Sequence, residues 1–336
     1  MYALFEQALR GRKRLTPAQR SAELGRLCAS LARVAQGNPL AARNEGYSAE
    51  DIATASPRNR YVGFPYTRLM TANVYVDQAA AIIVCSQAKA DEWGVPQAKR
   101  VYLHGSAHGH DEWFATERIR FDRSPAIHRV ARETLDTSGI RLDQVSHFDL
   151  YSCFVSAIEV ACDEIGIATD DPRGVTVTGG LSFFGGPGNN YVSHSIAEMV
   201  DRVRDKPGSY GMVTANGGLL TKHAAGIYST VRPATPWQSS DGARLQAEID
   251  VASGPKVHLD PAPSGAAKIE TYTVLNGGDG PERGVVLGRL VDSGNRFVAN
   301  TPGDRETLLK LQEIDALGLG GRVTPGEKVN IFTPDA

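Results

Sequence analysis

The sequence has 336 residues, with 36 basic against 38 acidic side chains, and 41% of it is hydrophobic, enough for two domains with cores of ordinary size. So even a charge balance excludes the bulk attraction that nucleic acids or anionic membrane surfaces exert, and no apolar run is long enough to span a bilayer. The four cysteines, at 28, 85, 153 and 162, have neither paired nor metal-site spacing and read as reduced thiols of a cytoplasmic protein.

Residues 1 to about 36 read as two helices broken near Thr16-Pro17, the first with Leu4, Phe5, Ala8 and Leu9 on one face. Residues 37–70 are polar, carry Pro39, Pro57 and Pro65, lack periodicity, and read as a long functional loop region. A regular α/β alternation follows. The continuous apolar run AAAIIVC (79–85) predicts a strand buried on both faces. Ser86 caps a short helix that Gly94 and Pro96 stop, and 101–104 is a second strand. Ser124-Pro125 opens a helix, 145–150 is a strand, and a helix with Phe154, Ile158, Ala161 and Ile165 on one stripe ends at Gly166. A glycine-rich stretch, GGLSFFGGPGNN (179–190), leads into a helix through Val203, and YGMVTA (210–215) is a strand running into Asn216-Gly217-Gly218. Beyond Pro233 and Pro236 the pattern changes to short β runs at 267–275, 284–291, 296–299 and 328–332, a small barrel or sandwich.

Four motifs carry candidate chemistry. Five glycines between 179 and 188 let backbone N–H groups approach a ligand just before a helix start, although neither a phosphate loop nor a dinucleotide fingerprint is present. TANGG (214–218) ends a strand with two backbone N–H groups and an amide, the parts of an oxyanion hole, though Asn-Gly is also the commonest hairpin signal and a plain hairpin is the expectation. DLYSCF (149–154) sets Tyr151, Ser152 and Cys153 at a sheet edge where α/β proteins place ligands, with Cys153 read as a buried small residue. His104, His108, His110, Asp111 and Glu112 have no outer ligand set, so a solvated loop and no metal are expected.

These motifs occur in the order found in the thiolase superfamily. NVYVDQAAAIIVC (73–85), SPAIHRVARETLDTSG (124–139), DLYSCF, GGLSFFGGPGNN and NGG (216–218) resemble, in register, the segments of a thiolase carboxyl-terminal half, and the resemblance covers about 1–230. The nearest subgroup is the thiolase-like proteins with an additional carboxyl-terminal, OB-like domain, often called acetyl-CoA acetyltransferases. The resemblance implies an α/β fold: a thiolase-like layered αβα half-fold plus a small all-β OB-like domain, with 1–70 as the helical and loop region, 71–236 as the carboxyl-terminal-type α/β domain and 237–336 as the β domain.

Where this sequence departs from the family, the catalytic set is missing. The family's nucleophilic cysteine lies in an amino-terminal half that this sequence does not show. Tyr151 stands for the Asn or His opening NEAF or HDCF, Gly186 for the His of GHP, and Asn216 for the Cys of CxG. What the resemblance leaves is binding: the Gly218 N–H as thioester-oxyanion donor, with Ser182, Gly185 and Gly186 in the loop that meets pantetheine. Tyr151, Asn216, His194 and His223 are the candidate catalytic residues, either histidine as a replacement base. The implied ligand is a coenzyme A ester, with no permanently bound cofactor. The expectations are an acyl-CoA-binding acyltransferase-like protein of lipid metabolism with impaired catalysis, a retro-aldol lyase with Tyr151 as acid/base, or a non-catalytic partner subunit. Partners would be acyl-CoA and a separate amino-terminal thiolase half or second subunit, with no nucleic acid and no membrane.

Overall fold

The computed structural model describes residues 1–335. Two helices open the chain, α1 (Tyr2–Lys13) and α2 (Pro17–Gln36). Thr16 caps α2 with a reciprocal box: its hydroxyl accepts from the Gln19 N–H while the Gln19 side chain accepts from the Thr16 N–H. The long polar region holds only short elements, α3 (Ala49–Ala53), β1 (Tyr61–Gly63) and β2 (Tyr66–Thr67). Then come α4 (Gln87–Glu92), capped by Ser86, β3 (Tyr102–His110), α5 (Pro125–Ser138), β4 (Val145–Asp149) and α6 (Val155–Ile165). The α/β part is completed by α7 (Gly180–Phe183), α8 (Tyr191–Asp205), β5 (Tyr210–Gly217), β6 (Lys222–Ser229) and α9 (Gly242–Ser253).

Four strands pair in the order β3-β6-β5-β4, with only β4 and β5 parallel. Helices cover both faces. On one, Ala107, Ala126, Val130, Ala225, Leu245 and Ile249 bring α5 and α9 onto β3 and β6; on the other, Met199 and Val203 of α8 lie against Val213. Contact is close enough that a Cβ at Gly211 would fall 2.0 Å from the Met199 sulfur.

The segment 79–85 is not the buried strand that its composition predicts. Residues 72–78 strap the glycine-rich stretch: Asn73 N–H donates to Leu181 O, Gly186 N–H donates to Asn73 O, and Gln78 Nε2 donates to Leu40 O and Phe184 O. Beyond Gln78 the chain finds no neighbouring strand among the described residues, and Ile83 and Val84 are each 87% exposed. A doubly buried strand needs a hydrogen-bonding neighbour and a cover on each face, and apolar composition supplies neither.

The carboxyl-terminal part is a closed barrel. β7 (Gly265–Gly277), β8 (Gly280–Leu290), β9 (Arg296–Asn300), β10 (Gly320–Thr324) and β11 (Asn330–Pro334) pair in the order β7-β8-β9-β11-β10, and β10 returns to β7. β9 and β11 run parallel, and α10 (Arg305–Glu313) lies between β9 and β10 in the chain, an OB-like arrangement. Ile269, Tyr272, Val286, Phe297, Leu308 and Phe332 fill it. The barrel is tied to the first helix, since Thr271 Oγ1 donates to Leu4 O at 2.7 Å and Arg10 meets Asp315 at 2.5 Å. Arg296, fully buried, pairs with Glu270 and donates to the carbonyls of Thr116 and Arg118.

The two helices meet over a buried ion cluster. Arg20 Nε donates to Glu6 Oε1 at 2.6 Å, its Nη2 reaches Glu159 at 2.5 Å, and Tyr66 OH donates to Glu6 at 2.6 Å.

Candidate functional site

The carboxyl ends of β4 and β5 and the β5–β6 turn converge on one spot. Asp149, fully buried at the end of β4, accepts from Thr176 Oγ1 at 2.9 Å, Val177 N–H at 3.0 Å, Thr178 N–H at 3.2 Å, Thr178 Oγ1 at 3.1 Å, Tyr191 OH at 3.1 Å and Ser195 Oγ at 2.7 Å. One carboxylate thus fixes the approach to the glycine-rich stretch and the start of α8 together. Sequence reasoning did not single out this residue, although it opens the DLYSCF motif at the end of the strand.

Two residues on, Tyr151 is half-buried, its N–H donating to Thr214 Oγ1 at 2.9 Å and its ring edge-on to Tyr191. Its hydroxyl has no partner among the described residues, and burial, with Cys153 nearby, pushes its pKa up to about 12. Cys153 is itself buried, with a thiol that burial raises to about 11.

The β5–β6 connection is a hairpin, as expected, but Asn216 and Gly217 belong to its ladder and not to its turn. Its register sets Asn216 opposite His223 and Gly217 opposite Lys222, leaving 218–221 as the turn. Gly218 and Leu220 hold left-handed φ values of 66° and 56°. The turn is clamped from two sides. Tyr2 OH donates to Gly218 O at 3.2 Å and accepts from Leu220 N–H at 3.1 Å and Asn216 Nδ2 at 3.0 Å; Arg118 Nη2 donates to Leu220 O at 2.5 Å. The Gly218 N–H has no partner among the described residues, and Gly218 is exposed. Tyr2 was likewise missed, because nothing local in the sequence ties it to a turn whose Gly218 lies 216 residues away.

A cavity of about 680 Å³ opens here, lined by Tyr151, Asn216, Gly217, Lys222 and His223, together with Gly188, Asn189 and Tyr191 and with His108, His110 and Trp113. A smaller space of about 20 Å³, lined by Tyr151, Asn216 and His223 and by Ile127, Val130 and Ala161, lies against α5 and α6. The structure therefore brings together Tyr151, Asn216 and His223 beside the Gly218 turn.

The other candidates stand apart. His194 is buried in α8, with its ring edge-on to Phe184 and Nε2 3.4 Å from Asn190 Nδ2; burial lowers its pKa. Ser182 is 2% exposed within α7, its carbonyl accepting from Arg43. Gly185 and Gly186 lie beneath the strap, where added Cβ atoms would meet Gln78 Oε1 at 2.4 Å and Ala72 Cβ at 3.4 Å. Gly179 presses on Ala35 of α2, 2.5 Å from an added Cβ. Close approach does explain this glycine density, and the approaching groups are the protein's own. Only Gly188 has open space around it and borders the cavity. The histidine-rich segment is strand rather than loop: His104 lies in β3 with Nε2 2.8 Å from Val231 O, and no cluster of three metal-ligating side chains occurs among the described residues.

Comparison with known proteins places the fold in a family. Residues 244–328 match the family described as the thiolase-like protein type 1 additional C-terminal domain. A probable acetyl-CoA acetyltransferase of Mycolicibacterium smegmatis is 27% identical over 176 residues, 50% of this chain and 42% of that protein. One from Mycobacterium tuberculosis is 27% identical over 130 residues, 38% of this chain and 30% of that protein. The chain thus matches less than half the length of these curated relatives. Among solved structures, a monomeric SCP2-thiolase like protein type 1 from Mycobacterium smegmatis superposes with a TM-score of 0.88 at 41% identity, covering 98% of this chain and 71% of that one. The Ltp2–ChsH2(DUF35) aldolase superposes with a TM-score of 0.55 at 19% identity, over 68% of this chain and 62% of that one, a likeness of fold alone.

Proposed function

The chain belongs to the SCP2-thiolase-like proteins of type 1, and from that premise we propose that it binds the thioester end of an acyl-CoA at the mouth of the β5–β6 hairpin. The observation that carries this reading is the Gly218 N–H: a donor without a protein partner, on a turn held by Tyr2 and Arg118. A fixed donor of that kind stabilises a polarised thioester oxygen. Acyl transfer by the usual route would be impaired, because Cys153 is buried with a raised thiol pKa and Asn216 stands where the family has its second cysteine. Calorimetric titration tests the reading. Acetyl-CoA should bind more tightly than free CoA, and Gly218→Pro, which deletes the N–H and cannot hold a positive φ, should erase that difference. No binding at millimolar ester, weaker than about −4 kcal/mol, would overturn it.

A second reading, retro-aldol cleavage of a 3-hydroxyacyl-CoA, is favoured by Tyr151, whose phenol borders the cavity without a protein partner. Release of a carbonyl product from such an ester, lost in Tyr151→Phe, would support it. The third, a partner-bound role, draws on the exposed run 79–85, which suits a covering second subunit or separate amino-terminal thiolase half.

A further inference from the structure

A second cavity, of about 800 Å³, lies between the segment that joins β3 to α5, the start of α5 and the end of α9. Its size is that of a small-molecule site. Arg120, Arg123, His128, Arg129 and Lys256 line it, with side chains 43–64% exposed. The acids beneath them are sunk deeper: Asp122 under Arg120 is 9% exposed, Glu164 under Arg123 is 3% and Glu112 under Lys256 is 17%. The exposed acid of the lining, Asp250, accepts from Gln246 Nε2 at 2.8 Å. The arginines keep donors in reserve. Arg120 spends Nε and Nη2 on Asp122, Arg123 spends the same pair on Glu164, and neither Nη1 makes a hydrogen bond among the described residues. Two buried atoms of the same lining, Arg118 Nη1 and Ser253 Oγ, also lack a hydrogen-bond partner there, Arg118 Nη1 lying 3.9 Å from Asp111 Oδ2. Guanidinium edges left free around one cavity are more donors than a single carboxylate can use, and they suit the oxygens of phosphate groups. Beside them stands Trp113, 54% exposed. One face of its indole stacks on His110, with 4.7 Å between ring centroids and 30° between planes, and no described aromatic or cationic side chain stacks on the other. Together with Ile119, 41% exposed, that open face makes a flat apolar wall.

We propose that this cavity binds a nucleoside phosphate, its phosphates on Arg120, Arg123 and Arg129 and its base against the open face of Trp113. The cavity shares only His110 and Trp113 with the one at the hairpin, so binding here does not rest on the acyl-CoA reading. The nucleotide is either a free one or the phosphorylated adenosine of a coenzyme A, which present the same ring and the same charge to this wall.

The test is titration of the full chain with ADP, read by calorimetry and by indole fluorescence, beside adenosine and pyrophosphate as its two parts. ADP should bind more tightly than either part, weaken as salt rises, and quench emission in the wild type but not in Trp113→Phe. Arg120→Ala and Arg129→Ala should each weaken ADP about tenfold. Both should melt as the wild type does, because Asp122 keeps Arg12 at 3.6 Å and Glu248 keeps Arg244 at 2.6 Å. Saturating acetyl-CoA distinguishes the two sources: exclusion of ADP assigns the nucleotide to the ester, unchanged ADP affinity assigns a free one, and the site stands in both cases. ADP binding by a chain that binds no acetyl-CoA also upholds the site and overturns only the earlier reading. No binding at millimolar ADP, or equal ADP affinity in the wild type and both arginine variants, overturns the site whether or not acetyl-CoA binds.

Discussion

Asn216 and His223 face each other across the β5–β6 ladder, one pair before the turn begins, and each keeps a buried polar atom without a protein partner. A ladder of eight strand pairs is a stiff support, so the two groups hold their separation whether or not a ligand is bound. Buried unpaired polar atoms are costly, so each is a place for an ordered water or for a polar group of a ligand.

Cysteine reactivity separates the four thiols. Cys28, Cys153 and Cys162 are buried and raised by burial, Cys153 to about 11, so at neutral pH roughly one Cys153 in ten thousand is a thiolate. Cys85 is exposed. Timed iodoacetamide labelling read by mass spectrometry should modify Cys85 first and leave Cys153 largely intact in the native state. Rapid labelling of Cys153 would restore it as a candidate nucleophile.

Tyr2→Phe removes the hydroxyl that bonds Gly218 O, Leu220 N–H and Asn216 Nδ2. The expected cost in urea unfolding is about 1–3 kcal/mol. The ratio of affinities for acetyl-CoA and free CoA should move toward one, because the donor loses its fixed direction. Full retention of that ratio would show that the turn holds itself.

The ion cluster between α1 and α2 answers to charge and to pH. Arg20→Met leaves the buried Glu6 without a cation and Glu159 with Lys13 alone, and should cost about 3–5 kcal/mol. Burial pushes both Glu159 and Asp111 up, but the pull of Arg20 on the first, and of His223 and Arg118 on the second, outweighs it, so both carboxyls lie below their ordinary values. Both therefore bind fewer protons folded than unfolded. The stability they contribute is complete above the ordinary carboxylate range and is lost as pH falls through their folded values. Glu6 is raised, chiefly by burial, and acts with the opposite sign, costing stability as pH rises past its unfolded value. Glu6→Gln should therefore flatten the loss between acid and neutral pH on the alkaline side of that range, and Glu159→Gln should flatten it on the acid side, both read from denaturant midpoints.

The run 79–85 is apolar and largely exposed, a composition expected to promote self-association. Ile83→Lys with Val84→Lys should reduce light scattering at high protein concentration and leave the melting temperature nearly unchanged, because both side chains are 87% exposed. A large drop in melting temperature would mean that the segment packs after all.

Helix caps, the hairpin and the α/β alternation were legible because each depends on neighbours in the chain: Thr16 with Gln19, Ser86 with Lys89, Ser124 with Ile127. The helices α9 and α10 and the strand β10 were not, since their apolar stripes are thin and the barrel and sheet supply their partners. The run 79–85 misled for the same reason in reverse, its composition being that of a strand while its pairing depends on what lies beside it. Tyr151 and Asn216 could be picked out by family order and His223 by its place beside them, whereas Asp111, Asp149 and Tyr2 act through contacts 13 to 218 residues away that no local pattern marks.

The hydrogen bond from Thr271 to Leu4 spans 267 residues of chain. During synthesis the first helix emerges long before the strand on which it finally rests. At about 5–20 residues per second, it waits on the order of tens of seconds. Through that interval Phe5 and Leu9, both fully buried in the finished protein, lack part of their cover. Until then the nascent chain shows a hydrophobic helix to chaperones.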